Sequence, residues 1–172
     1  MHRTTATSPS AARPARRWSK IAGSPLRCVD RNLNGRIDTS AGSDVLGRGN
    51  DECVVWSSTV AAGACPRALA LDLRDRLWVG GWCLNNFYVL NSDTGTLIRT
   101  VPIATGAYGA AMDRHGTLWY AGRAHSWIQN IDTETMAVGP VRVPTCGGDL
   151  YGITTDLEDR VWTVCAQQPC RA

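Results

Sequence analysis

The stretch Asp30-Arg31-Asn32-Leu33-Asn34-Gly35-Arg36-Ile37-Asp38 carries the most explicit ligand chemistry in the chain. Asp30, Asn32 and Asn34 alternate, so their side-chain oxygens converge on one centre if the loop turns sharply at Gly35, where the missing Cβ removes the steric cost. Arg36 would add its backbone carbonyl, Asp38 a second carboxylate, and Ile37 would anchor the loop to a core. An oxygen-only set of this kind suits Ca2+, a hard cation. The same residues also suit an Asx-turn loop whose side chains bond only their own backbone.

The spacing matches the opening D-x-[DN]-x-[DN]-G and resembles EF-hand-like and dockerin-like calcium loops. That resemblance implies a bidentate acid at the twelfth position, where this chain has Ala41. Asp38 and a later acid, Asp44, Asp51 or Glu52, would then complete the shell. With few carboxylates and no flanking amphipathic helices, the expected site is structural, weak and extracellular rather than a switch. Cys28 and Cys53 bracket the loop and could close it.

The elements that must position this loop are announced by a repeat. Asp72-x-x-Asp75-x-Leu77-Trp78, Asp113-x-x-Gly116-x-Leu118-Trp119 and Asp156-x-x-Asp159-x-Val161-Trp162 stand 41 and 43 residues apart. A period near 40 built from short apolar segments is the signature of a β-propeller blade. The fourth position of each motif tolerates φ > 0, which makes each motif a hairpin turn between two inner strands. The segments 89–95 and 128–134 read as third strands with their turns, aligned on Asp93 and Asp132, and strands 97–103 and 137–143 as outer ones. The fold class is therefore all-β, a partial β-propeller with blades at about 66–104 and 106–145 and a partial blade at 148–166. Cys53-Val54-Val55-Trp56 reads as a further outer strand.

Propellers close with roughly four to eight blades. Two complete blades leave apolar faces and strand edges uncovered, so the expectation is a piece of a longer protein, completed by its remaining blades or by a second copy. The predicted organisation is a disordered basic tail over 1–24, a calcium-loop segment over 25–52 and the incomplete propeller over 53–172. Residues 1–20 hold Arg3, Arg13, Arg16, Arg17 and Lys20 and no acid, leaving 13 basic and 15 acidic groups in the remainder. The net charge of +3 thus belongs to the tail and gives no basic surface for nucleic acid. No apolar run is long enough to span a membrane, and no signal peptide is visible.

Seven cysteines in 172 residues point to an oxidising compartment, hence a secreted or periplasmic location. Cys65 and Cys83 flank the first hairpin within one residue of cross-strand register, and Cys146 and Cys165 flank the third less closely. Cys28 would pair with Cys53 and Cys170 would be left over. Few residues could carry catalysis. His115 lies in a turn motif, His125 begins a connection between strands two and three and could act as a base or metal ligand, and His2 lies in the tail. The recurring aspartates read as turn caps and the recurring tryptophans as blade-to-blade packing. No triad, phosphate-binding glycine loop or carboxylate pair can be placed, so no catalytic residue is assigned.

Tyr108-Gly109-x-x-Met112-Asp113-x-x-Gly116-x-Leu118-Trp119-Tyr120, followed by Ile128-x-x-Ile131-Asp132-Thr133, resembles the repeat of virginiamycin B lyase-type propellers and is similar to NHL and gluconolactonase-type blades. The resemblance covers residues 66–166 and implies a blade, not an active site. It leaves two readings of function: an extracytoplasmic binding or scaffold module with a structural calcium site, or a metal-dependent carbon–oxygen lyase or lactonase.

Overall fold

Eleven β-strands and one 3-10 turn make up the computed structural model, which describes residues 17–47, 49–122, 126–142 and 149–165. The first complete blade is the antiparallel sheet β3 (Pro66–Leu71), β4 (Arg76–Gly81), β5 (Asn86–Asn91) and β6 (Leu97–Pro102), in that order. The second follows as β7 (Ala107–Met112), β8 (Thr117–Gly122) and β9 (Ile128–Asp132). Its expected fourth strand is reduced to two isolated bridges, Ile131 to Val138 and Ile128 to Arg142. Pro140 lies between those bridges and has no N–H to donate, which accounts for the interruption. The third hairpin is β10 (Leu150–Thr155) with β11 (Val161–Cys165). Strand β3 packs against β7 and β7 against β10, so the first strand of each unit lies beside the first strand of the next.

The turn motifs behave alike because their chemistry is alike. Asp75, Gly116 and Asp159 take φ of 57°, 84° and 61°, the left-handed conformation that closes a three-residue hairpin loop. The amides of these three residues donate to the carbonyls of Asp72, Asp113 and Asp156 at 2.9, 3.3 and 3.2 Å. After strand three, Asn91 and Asp132 fill the same role: each side chain accepts from the amides two and three residues on, all at 2.9 Å. This pairs Asn91 with Asp132 and corrects the alignment on Asp93. The register decides the matter, because Leu77 opposes Leu90 as Leu118 opposes Ile131.

Two further boundaries differ from expectation. Arg17–Ile21 is not part of a tail but strand β1, paired with β2 (Val54–Thr59). Trp18, buried at 8% exposure, explains the strand: it joins Val79, Tyr88 and Leu90 in one apolar cluster. Residues 1–16 of the expected tail lie outside the described residues, and 22–24 lead out of β1, with the Ala22 amide donating to the Cys53 carbonyl at 2.8 Å. Consequently the calcium-loop segment does not precede the propeller. It is inserted between β1 and β2, two strands of one sheet.

The core between the two blades is formed by Ala68, Trp78, Phe87, Val89, Ala107, Leu118, Tyr120 and Ile131. Phe87 meets Trp78 and Tyr120 edge-on, with ring centroids at 6.1 and 5.3 Å, a geometry favoured by the ring quadrupoles. Close approach of the blades requires missing side chains. A Cβ on Gly106 would lie 1.9 Å from the Trp82 carbonyl oxygen, and one on Gly80 would lie 2.7 Å from the Cβ atoms of Ala68 and Ala107.

Candidate metal centre

Residues 22–53 leave the sheet at β1 and return at β2, stapled by the Cys28–Cys53 disulfide. Inside this insertion the sequence-predicted ligands are neighbours. Asp30 accepts from the amides of Asn34 (Oδ1, 3.2 Å) and Gly35 (Oδ2, 2.9 Å). Asn32 Oδ1 accepts from the Asn34 amide at 3.0 Å, and Asn34 Oδ1 from the Arg36 amide at 2.9 Å. The side-chain Nδ2 groups of Asn32 and Asn34 both donate to Asp38 Oδ2, at 2.8 Å each. Leu33 and Gly35 take φ of 60° and 79°, and these reversals curl the loop around its own side chains.

Asn32, Asn34 and Asp38 are thus drawn together at one oxygen, while Asp30 is engaged with the turn backbone and Arg36 contributes its amide. The hydrogen bonds from Asn32 and then Asn34 hold the Asp38 carboxyl below the usual carboxylate range. Ile37 is only half-buried, belongs to no core cluster, and lines an open groove of about 610 Å³ with Arg31, Asn32, Asp38, Asp44 and Glu52. Among the described residues no group of three or more His, Cys, Asp or Glu converges as a metal set.

The later acids sort themselves by what they hold. Glu52, 3% exposed, accepts from the amides of Arg31 (2.7 Å), Asn32 (3.1 Å) and Asp38 (2.9 Å), so one carboxylate grips both ends of the loop. Asp51 accepts from the Ser40 hydroxyl (2.7 Å) and amide (3.1 Å), the Thr39 hydroxyl (2.9 Å) and the Cys53 amide (3.1 Å). These bonds, those of Ser40 foremost, hold its carboxyl down at about 2. Asp44 makes backbone bonds with Ala41 and borders the groove. Sequence reading named Glu52 as a possible ligand; its contacts show it supporting the loop backbone.

Elsewhere the chemistry-bearing residues are structural. Trp78, Trp119 and Trp162 donate from Nε1 to Asp72, Asp113 and Asp156 at 2.7, 3.0 and 2.7 Å. The aspartates are turn caps as expected, but each also clamps its own tryptophan. The constant six-residue spacing between them was the signal for this bond. His115 is an exposed turn residue: its amide donates to Asp113 Oδ1 at 2.9 Å and its ring Nε2 lies 3.0 Å from Asp159 Oδ2. His125, His2, Cys146 and Cys170 lie outside the described residues. Cys65 and Cys83 are joined, and Cys165 is disulfide-bonded to a partner outside the described residues.

No protein-family model matches the chain. No curated protein matches it either. Solved structures do. A catalytically inactive variant of virginiamycin B lyase from Staphylococcus aureus, with quinupristin, superposes with a TM-score of 0.56 at 18% identity over 63% of this chain and 38% of that one. Hydrazine synthase of Kuenenia stuttgartiensis superposes with a TM-score of 0.54 at 12% identity, over 61% and 30%. A Bacteroides caccae protein of unknown function gives 0.51 at 11% identity, over 70% and 44%. The chain spans less than half the length of each. At these identities the likeness is one of fold, and the fold is that of a β-propeller.

Proposed function

We propose that this chain is an extracytoplasmic, non-catalytic binding or scaffold propeller whose inserted loop 30–38 takes a structural Ca2+. The observation that carries the reading is the convergence of Asn32 and Asn34 on Asp38 Oδ2, with Asp30 on the same turn. Two amides and the Asp38 carboxylate, with Asp30 on the same turn, give an oxygen-rich centre once each Asn side chain turns its Oδ1 inward, which gives up the bonds those oxygens accept from the Asn34 and Arg36 amides in exchange for the cation. Asp30, Asn32, Asn34 and Asp38 would bind through side chains and Arg36 through its carbonyl. Two carboxylates are few, which suits the weak affinities of extracellular modules. Glu52 and the Cys28–Cys53 bond hold the loop ends beforehand, lowering the ordering cost of binding.

The disulfides fit an oxidising compartment, and no helix among the described residues is long and apolar enough to cross a membrane. Among the described residues the lyase or lactonase alternative gains no residue, since His115 is tied to turn groups and each motif aspartate is occupied by its tryptophan and turn amides; His125 lies outside them. Calorimetric titration of calcium into the purified chain tests the reading. Saturable heat in the wild type, lost in Asp30→Ala/Asn34→Ala, is expected; identical traces for the two proteins would refute it.

A further inference from the structure

The open groove in the inserted segment is larger than a structural cation loop requires. Its volume of about 610 Å³ lies beside the loop, and Asn32 and Asp38, two of the cation ligands named above, are part of its lining. The return arm of the insertion supplies Asp44, Leu46 and Asn50. Both sides are tied together before any ligand arrives. Glu52 holds the amides of Arg31, Asn32 and Asp38, and Asp51 holds Thr39 and Ser40, so the groove is preformed and a guest pays little to order it.

The lining has two kinds of side chain that the fold does not use. Ile37 and Leu46 are half-buried, belong to no core cluster and both border the groove. They give a polar groove an apolar wall. The side chains of Asp44 and Asn50 are exposed and make no hydrogen bond among the described residues, although both border the same space. Arg31 also lines it, but its guanidinium is committed, donating to the carbonyls of Val54 at 3.2 Å and of Asp51.

The cation shell is short of donors. Ca2+ takes about six to eight oxygens. Asp30, Asn32, Asn34 and Asp38 with one oxygen each and the Arg36 carbonyl supply fewer than that. Ala41 offers no side-chain oxygen at the twelfth position of the loop, and Glu52 is spent on backbone amides. About one to three positions are therefore left for an outside ligand, and Asn32 and Asp38 put them within reach of a molecule in the groove. Charge selects the kind of molecule. The carboxylates of Asp30 and Asp38 already balance a divalent cation, and Asp44 and Glu52 add further negative charge, so a neutral pair of oxygens is favoured over an anion.

We infer, on the basis of the calcium reading, that this groove takes a neutral saccharide, two adjacent hydroxyls of which complete the Ca2+ shell beside Asn32 and Asp38. The apolar C–H face of the sugar ring lies on Ile37 and Leu46, which accounts for two apolar side chains held away from any core. The remaining hydroxyls donate to Asp44 and accept from Asn50 Nδ2. The groove falls within the range of about 300–1,000 Å³ typical of small-molecule sites.

Amide chemical shifts of the isotopically labelled chain, titrated with methyl α-mannoside and with methyl β-galactoside, test the inference. The two sugars present a diequatorial and an axial–equatorial diol. With saturating calcium, one of them should shift the amides of residues 37–50 saturably, and chelator should abolish the effect. Ile37→Ser should weaken that sugar about tenfold while leaving the calorimetric calcium titration unchanged. Calcium heat with amides unmoved by both sugars would overturn this inference alone, whereas no calcium heat would overturn the calcium reading and this inference with it. Equal sugar binding in chelator would refute the shared cation, and saturable shifts with acetate in place of either sugar would refute the neutral ligand.

Discussion

Replacing Asp72 by asparagine keeps the shape of the clamp and removes its charge and half of its acceptors. Asp72 Oδ1 accepts from the amides of Arg74 (3.0 Å) and Arg76 (2.9 Å), while Oδ2 accepts from Arg76 Nε and Trp78 Nε1, both at 2.7 Å. An asparagine can satisfy the two amides with its oxygen, but its Nδ2 then faces two donors. Trp78 is fully buried, so no water replaces the lost acceptor. A hydrogen bond to a charged group is worth about 1.5–3 kcal/mol, and an orphaned buried donor costs a similar amount. Asp72 itself is buried, which pushes its carboxyl up, yet the bonds from Trp78 and Arg76 outweigh burial and leave it lowered. The expected loss for Asp72→Asn is about 3 kcal/mol, with a coupling of about 1–2 kcal/mol to Trp78→Phe. Urea unfolding of the four proteins in that cycle, followed by far-ultraviolet circular dichroism, measures both. A loss below about 1 kcal/mol, or an equal loss in the Trp78→Phe background, would refute the clamp.

Gly106→Ala should destabilise the chain by about 3 kcal/mol, because its Cβ meets the Trp82 backbone, which cannot swing aside. Gly152→Ala, with nothing within 4 Å of its Cβ, should stay within about 0.5 kcal/mol in the same thermal melts, and equal effects would contradict the packing. Acid should loosen the inserted loop through Asp51. Its folded carboxyl sits at about 2, below an unfolded value of about 3.9, so its stabilisation is complete above that value and is lost as pH falls through the folded one. Ser40→Ala should move this loss upward in pH, read by carboxyl chemical shifts; an unmoved Asp51 titration would refute the assignment.

The architecture was legible where one residue type had one physical job. The Asp-x-x-Asp/Gly-x-Leu/Val-Trp motif encodes a left-handed turn residue and an indole bonded to the first aspartate at fixed spacing, and both appear three times in the structure. The two cysteine pairs followed from their places beside a hairpin and a loop. Strand β1 was hidden because Arg17 and Lys20 read as tail charge, whereas Trp18 is buried, Arg17 is exposed, and Lys20, half-buried on the Trp18 face, extends its ammonium to Asp93. The outer strand of the second blade was over-read because Pro140 interrupts pairing at one point, which a strand-length apolar pattern does not report. The loop 30–38 was found from its spacing, but the work of Glu52 was not. A carboxylate that grips three backbone amides leaves no spacing rule, since its partners lie up to 21 residues away.

The most direct test of a structural calcium loop is the thermal unfolding midpoint of the wild type and of Asp30→Ala/Asn34→Ala, each with saturating calcium and with chelator. A ligand bound only by the folded state at about 100 times its dissociation constant adds about 2.7 kcal/mol. The wild-type midpoint should therefore rise by several degrees with calcium while the variant stays fixed. Midpoints unchanged by calcium in both proteins would contradict the account.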